Sequence, residues 1–193
     1  GARVRVPTML NPAAMDLACW QEQGFDPGFA TEQHKVIQAF ARMGVGQGTA
    51  VPTCTPYLIG AEPAVGDHIA WAESSAVNYG NSVFGLRINR MATGMEVLCG
   101  IAGKVPVFGM LTDEGRKAKW HIDIRLSKEP HWGALGGAVG AKVVEQVPYV
   151  TGVEQWIGME NGKPGLVAMG KLKAFGSSTA SSGAVGLYHL EKV

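Results

Sequence analysis

The chain has 193 residues, which allows one domain or slightly more, and its hydrophobic share of 46% suffices for a core and excludes a disordered protein. Basic and acidic side chains number 17 and 16, and this balance argues against a nucleic-acid partner, which requires a basic excess on one face. The longest uncharged stretch, residues 43–61, is interrupted by glycines and prolines, so we expect no membrane span and no membrane partner.

Strand-like and helix-like patterns alternate along the chain. Apolar alternation or short apolar runs predict strands at residues 3–6, 49–53, 105–111, 120–126 and 184–190. Apolar residues at helical spacing, with capping and stop signals, predict helices at residues 13–21, 27–43, 73–84, 93–103, 132–147 and 166–178. This order predicts an α/β protein with layered sheets and flanking helices.

Two predicted helices carry specific local signals. Asp26 followed by Pro27 is typical of an N-cap and a first helical residue. The helix at 132–147 has small residues along one side, so its backbone can approach a neighbouring element closely. These residues are Gly133, Gly136, Gly137 and Gly140.

The domain organisation offers few internal marks. No repeat, low-complexity tract or linker composition divides the chain, so residues 1–193 are predicted to form one region without an internal boundary. The chain opens with Gly-Ala-Arg, and a strand pattern begins at residue 3. We therefore expect a fragment of a larger multidomain chain.

Three cysteines at wide spacing do not form a disulfide framework, and reduced thiols favour a cytoplasmic location. Cys54 follows a predicted strand end, where catalytic loops of α/β proteins emerge. A thiolate there could bind iron or act as a nucleophile. The alternative is a small buried apolar side chain, which is common for free cysteine.

The segment from 68 to 90 combines a polar stripe with two arginines. Short uncharged polar side chains recur on one face of the predicted helix at Ser74, Ser75, Asn78, Asn81 and Ser82. Such a stripe suits recognition of a small polar ligand, or else close packing against a neighbouring element.

Charged residues flank this stripe on both sides. Glu73 is a candidate acid or base, or else a carboxylate that stabilises the helix N-terminus. Arg87 and Arg90 suit bidentate capture of carboxylate or phosphate, although each could equally be a surface arginine.

With these motifs, the sequence resembles the large, catalytic subunit of the aconitase X family. The specific combination is the Cys54 loop with the Trp-Ala-Glu-Ser-Ser segment at 71–75. The clearest matching stretches are residues 7–16, 53–57, 66–77 and 81–90, and weaker matches are 100–116, 132–148 and 172–189. Together they cover nearly the whole chain, as the central part of the family's catalytic domain, with N- and C-terminal portions missing.

The resemblance implies a hydro-lyase that removes water from a small hydroxy acid, with an iron or iron–sulfur centre as Lewis acid. It implies a layered α/β fold like the aconitase large subunit and a small swivelling subunit or domain as partner. Cys54 would be one metal ligand, the remaining ligands would lie outside this chain, and Glu73 and Ser75 would be catalytic. Substrate oxygens would be bound by Ser74, Asn81, Ser82, Arg87, Asn89 and Arg90.

Three positions depart from the family pattern. Leu86 and Ile88 replace an Ala and a Thr, and Gly115 replaces an Asn in a turn. The sequence also lacks a Glu-Gly-Gly-Pro run after Arg90. The missing run favours cis-3-hydroxy-L-proline as substrate over mevalonate 5-phosphate, which is the alternative. The three substitutions leave a second class of function open, a catalytically incomplete binding or assembly module on the same scaffold.

Overall fold

The computed structural model describes residues 1–9, 13–46, 55, 57, 63–92, 94–160 and 163–190. The chain divides into two compact units, each built from two chain segments. The first unit comprises Gly1–Glu62 with Ala92–Val105, and the second comprises Pro63–Met91 with Pro106–Val193.

The described residues of the first unit include the helices α1 (Pro27–Arg42) and α3 (Met95–Ala102). Asp26 is the N-cap of α1, and its carboxylate accepts a hydrogen bond from the backbone N–H of Phe29 at 2.9 Å. Pro27 occupies the first turn, so the start signal read from the sequence is confirmed. The predicted helix at 93–103 is confirmed as α3, while Thr93 lies outside the described residues.

Two predictions in the first unit are wrong. In residues 3–6, the Val4 N–H donates a hydrogen bond to the Met43 carbonyl, and the Arg5 N–H donates one to the Gly100 carbonyl. These isolated bonds do not form a strand ladder. Residues 13–21 form turns, where the Asp16 carboxylate accepts from Ala18 N–H and so competes with helical pairing. The predicted strand at 49–53 lies outside the described residues.

The described residues of the second unit form three small sheets. β1 (His68–Ile69) pairs in parallel with β2 (Arg87–Ile88), and α2 (Ser74–Val83) connects them. The three-stranded parallel sheet has the order β3-β4-β7, formed by β3 (Trp120–Asp123), β4 (Pro148–Thr151) and β7 (His189–Leu190). An antiparallel pair, β5 (Met159–Glu160) with β6 (Lys163–Pro164), precedes the last helix. Parallel sheets with flanking helices confirm the predicted α/β class.

Helices α4 (Trp132–Val143) and α5 (Leu166–Gly183) pack at backbone distance. A methyl group at Gly136 would lie 2.3 Å from the Phe175 carbonyl oxygen, and one at Gly140 would lie 2.6 Å from that of Thr179. The predicted close approach through small residues is therefore confirmed, and only glycine fits at these two positions.

A core cluster holds the β1-α2-β2 segment together. Val77, Leu86 and Ile88 are each 0% exposed, and partly buried apolar side chains surround them. Burial of three such side chains contributes about 1.5–3 kcal/mol each, so the loop between α2 and β2 is fixed by its own apolar residues.

Three differences from the predicted elements lie around the second unit. Residues 105–111 form no strand, and a short 3₁₀ helix covers Gly109–Leu111. The predicted strand at 184–190 shortens to the two residues of β7. The central strand β4 was not predicted, because its four residues follow a segment with a helical pattern.

In the part of the chain that the structure describes, no helix combines the length and the apolar character needed to span a bilayer.

Candidate active site

A carboxylate and a hydroxyl meet at the first turn of α2. Glu73 is the N-cap residue, and its side chain accepts hydrogen bonds from the backbone N–H groups of Ser75 and Ala76 at 3.0 and 2.7 Å. The Ser75 hydroxyl also donates to this carboxylate in a short hydrogen bond. Ser75 is only 8% exposed, so this arrangement is largely screened from water.

Lys173 of α5 completes this group of side chains. Its Nζ donates to Ser75 Oγ at 2.5 Å, across a sequence separation of 98 residues. Glu73, Ser75 and Lys173 are called the Ser75 cluster below. Ser75 therefore lies between a carboxylate and an amine, an arrangement that can hold or move a proton at Oγ.

The far end of α2 is bound to backbone. Asn81 is 2% exposed, and its Nδ2 donates to the carbonyls of Ile88 and Gly186, both at 2.8 Å. Its Oδ1 accepts from the Ile88 N–H at 2.9 Å and from Nη1 of Arg116 at 3.0 Å. All four of these bonds hold protein groups, so the side chain fixes β2 and the segment before β7 on the helix.

Arg116 is a partly buried residue that binds several backbone carbonyls and that the sequence analysis did not single out. Its guanidinium donates to the carbonyls of Leu86 at 2.8 Å and Asn81 at 3.1 Å. Burial lowers its pKa from the usual high value, with a smaller contribution from the positive charge of Arg87. The planar fork of donors matches several carbonyls at once, which explains an arginine in this position.

Two other residues of the polar stripe bind backbone after α5. Ser82 Oγ accepts from the backbone N–H of Tyr188 at 3.0 Å, and Nδ2 of Asn78 donates to the Val185 carbonyl at 2.7 Å. For this half of the stripe, the structure shows the packing alternative.

The residues of β2 and the loop after it are also engaged within the second unit. Asn89 is 5% exposed, donates to the Phe108 carbonyl at 2.9 Å and accepts from the Met110 N–H at 2.8 Å. Arg87 donates to the Leu111 carbonyl at 3.0 Å and forms a short ion pair with Asp113.

Ser74 and Arg90 have fewer bonds than the other predicted substrate-binding residues. Ser74 lies partly exposed on the first turn of α2, next to Ser75. Arg90 is exposed, and its Nη1 makes one long hydrogen bond of 3.4 Å to the Ala180 carbonyl. Both side chains keep surface open to solvent, as Ser82 and Arg87 do in part, but they make fewer bonds to the protein.

Two family models together match nearly all of this chain. The model described as aconitase X first domain matches residues 1–114, and the one described as aconitase X second domain matches residues 118–193. The chain belongs to the aconitase X family. The resemblance read from the sequence is thus confirmed.

Named relatives of the family extend well beyond this chain. The phosphomevalonate dehydratase large subunit of Methanothermobacter thermautotrophicus is 43% identical over 100% of this chain and 45% of its own length. The cis-3-hydroxy-L-proline dehydratase of Pseudomonas aeruginosa is 34% identical over 98% of this chain and 31% of its own. The chain spans less than half the length of these curated relatives.

A solved aconitase X structure has the same fold. The crystal structure of the Thermococcus kodakaraensis protein in its holo-form is similar with a TM-score of 0.77 and 36% sequence identity. The similarity covers 99% of this chain and 44% of that one. The predicted likeness to the aconitase large-subunit fold is confirmed at the level of this family.

Two of the positions at which this chain departs from the aconitase X family pattern, residues 86 and 88, lie in the core. Leu86 and Ile88 are both 0% exposed and pack with Val77. These two substitutions therefore concern packing. Gly115 lies in a short 3₁₀ helix, where a methyl group would overlap the Gly109 carbonyl oxygen at 2.0 Å.

The thiols of this aconitase X chain do not assemble a metal site within the described residues. Cys54, the predicted iron ligand, lies outside them, and no group of three or more His, Cys, Asp or Glu side chains occurs in the described segments. Cys99 is buried, and burial raises the pKa of its thiol. A hydrogen bond with Asp16 raises the pKa of the Cys19 thiol. Both thiols are thus less readily deprotonated than a free cysteine.

Proposed function

We propose that this chain is part of the catalytic subunit of a hydro-lyase that removes water from a small hydroxy acid. The observation that carries the proposal is the Ser75 cluster, which holds a hydroxyl between Glu73 and Lys173 in a segment assigned to the site from the sequence. Family membership and the names of the relatives as dehydratases support the reaction class.

In this proposal Ser75 and Glu73 handle the proton next to the substrate carboxylate. Ser75 Oγ takes the proton, and Glu73 receives the proton that the hydroxyl releases. Both groups are already hydrogen-bonded to each other, as a base and its partner must be.

We propose two levels of substrate binding among the six predicted residues. Ser74 and Arg90 contact the substrate directly, because they keep solvent-exposed surface and make few bonds to protein groups. The other four act indirectly, since their side chains bind the backbone segments that shape the site. These residues are Asn81, Ser82, Arg87 and Asn89.

Cys54 as a ligand of an iron or iron–sulfur centre stays a prediction from the family resemblance. The described residues provide no donor set for such a centre, and no step of the reaction is assigned to it here. The full-length protein, purified without oxygen, should carry stoichiometric iron, and Cys54→Ser should lose both iron and turnover. Cys19→Ser is the matched control and should retain both.

Two substrates follow from the relatives. The names at higher identity, 43%, 38% and 37%, are phosphomevalonate dehydratase large subunits, whereas cis-3-hydroxy-L-proline dehydratases match at 34% and 29%. We therefore propose phosphomevalonate as the first substrate to test and cis-3-hydroxy-L-proline as the second.

The deciding experiment combines the full-length chain with its small partner subunit, which the "large subunit" names of the relatives suggest. Each substrate is supplied in turn, and formation of the dehydrated product is measured. Turnover of either compound supports the hydro-lyase. A folded, iron-free complex that consumes neither favours the catalytically incomplete binding or assembly module. A cytoplasmic location also stays a prediction.

A further inference from the structure

Lys173 is carried by a well-packed part of α5. The neighbouring Leu172 is 0% exposed, and its carbonyl accepts a hydrogen bond from the Tyr188 hydroxyl at 3.2 Å. The ring of Phe175 meets the ring of Tyr188 edge to face, with centroids 4.9 Å apart. These contacts fix the backbone from which the Lys173 side chain reaches Ser75.

The chemistry of the three groups fixes the direction of the Ser75 hydroxyl. A lysine ammonium has three donors and no acceptor, so Ser75 Oγ accepts from Lys173. The single hydroxyl proton is then free to be donated to the Glu73 carboxylate, to which the hydroxyl is hydrogen-bonded. Without the amine, the hydroxyl could rotate away from the carboxylate.

We propose that Lys173 is a positioning residue, which orients the Ser75 hydroxyl towards Glu73 and stabilises negative charge on Ser75 Oγ during dehydration. The inference rests on the proposed function, because it concerns the proton transfer assigned there to Ser75. When Oγ takes the substrate proton, the original hydroxyl proton passes to Glu73. The electron pair of the broken C–H bond forms the C=C bond, the substrate hydroxyl leaves as hydroxide, and the proton on Glu73 later neutralises that hydroxide.

The kinetic test uses the full-length complex and whichever proposed substrate is turned over. Lys173→Met should lower kcat by about 10- to 100-fold, the usual effect of losing one charged hydrogen bond, while KM changes by less than about threefold. Lys173→Arg keeps the charge and should recover most of the loss. Lys171→Met is the matched control on the same helix, because Lys171 bonds the Trp156 carbonyl and pairs with Glu129, and kcat should stay within about twofold.

A double variant separates positioning from general stability. Ser75→Ala and Lys173→Met together should be no slower than Ser75→Ala alone, because both remove the same oriented hydroxyl. An unchanged kcat in Lys173→Met, or losses that multiply in the double variant, would overturn the proposal.

A labelling experiment needs no turnover and so separates this inference from the proposed function. The complex is treated with a limiting amount of an amine-reactive acetylating reagent, and the rate at which Lys173 is acetylated is followed by mass spectrometry. This rate should be higher in Ser75→Ala than in the wild-type complex, and unchanged in Ser74→Ala. Equal rates in all three proteins would show that the Lys173–Ser75 bond is absent, and the inference fails. If the rate rises but neither substrate is consumed by the wild type, the proposed function fails, and with it the role in dehydration.

Discussion

The two ends of α2 carry similar short polar side chains but use them differently. At the C-terminal end, Asn81 and Ser82 saturate backbone groups of β2 and of the segment before β7. At the N-terminal end, the Ser75 hydroxyl is bonded to two side chains of opposite charge type, Glu73 and Lys173. A polar stripe can thus combine a structural half with a half suited to proton transfer, and the partners of each side chain distinguish the two.

Asn81→Ala should have the largest effect on stability. The substitution removes four hydrogen bonds and leaves the Ile88 N–H without its side-chain acceptor in a buried place. We expect a loss of about 3 kcal/mol in the free energy of unfolding. Denaturant unfolding of the full-length protein measures it.

Ser74→Ala serves as the matched control for Asn81→Ala, because Ser74 is partly exposed at the other end of the same helix. Its unfolding free energy should change by less than about 0.5 kcal/mol. If Asn81→Ala were equally harmless and instead weakened substrate binding, the division between the two ends of α2 would be wrong.

The sequence revealed α2 and its capping carboxylate but neither set of partners. Glu73 before a helical pattern is a local signal, and the structure shows the cap. Lys173 lies 98 residues from Ser75, and the Gly186 carbonyl lies 105 residues from Asn81. No local period reports such distant pairs, because tertiary packing alone decides them. Hence the polar stripe could be read from the sequence, but its division into a structural half and a half suited to proton transfer could not.

Dependence on distant contacts also explains why the short strands could not be predicted from the sequence. The parallel sheet depends on β4, whose four residues start at Pro148 and follow directly on a helical pattern. β2 is only two residues long and is held by Asn81 through its backbone. Short strands that depend on such contacts carry little periodicity of their own.

Gly136→Ala should have the next largest effect and would sharpen the comparison at the N-terminal end. The added methyl would meet the Phe175 carbonyl, forcing α5 away from α4. Overpacking of this kind costs about 1–3 kcal/mol, and the shift of α5 should also loosen the bond between Lys173 and Ser75. Thermal unfolding and acetylation of Lys173 report the two effects.

Gly170→Ala is the control on α5 itself. No atom lies within 4 Å of the added methyl, and the helix gains about 0.5–1 kcal/mol from alanine. Stabilisation here with destabilisation at Gly136 would assign the effect to the helix contact; equal behaviour of the two variants would refute that explanation.

Asp113→Asn should have the smallest effect, with a defined pH dependence. The hydrogen bond and the charge of Arg87 lower the pKa of the Asp113 carboxyl. The stabilisation is therefore complete above the unfolded value of about 3.9 and is lost as the pH falls through the lowered folded value. The thermal midpoints of wild type and variant should differ slightly at pH 6 and converge in acid.

Salt provides a second check on the Asp113 pair. Asp113 is exposed, so 1 M sodium chloride should reduce the difference between wild type and Asp113→Asn at pH 6. A difference that persists in acid and in high salt would mean that the carboxylate is not what Arg87 stabilises.

Ser75→Ala in the full-length complex tests the distinction between the two ends of α2 most directly. Turnover and thermal unfolding are measured on the same preparation, with whichever proposed substrate the wild type consumes. We predict that kcat falls by at least about 100-fold, while the unfolding midpoint stays within about 2 °C of wild type. Wild-type turnover, or a collapse of stability like that expected for Asn81→Ala, would contradict the assignment of the N-terminal end of α2 to the reaction.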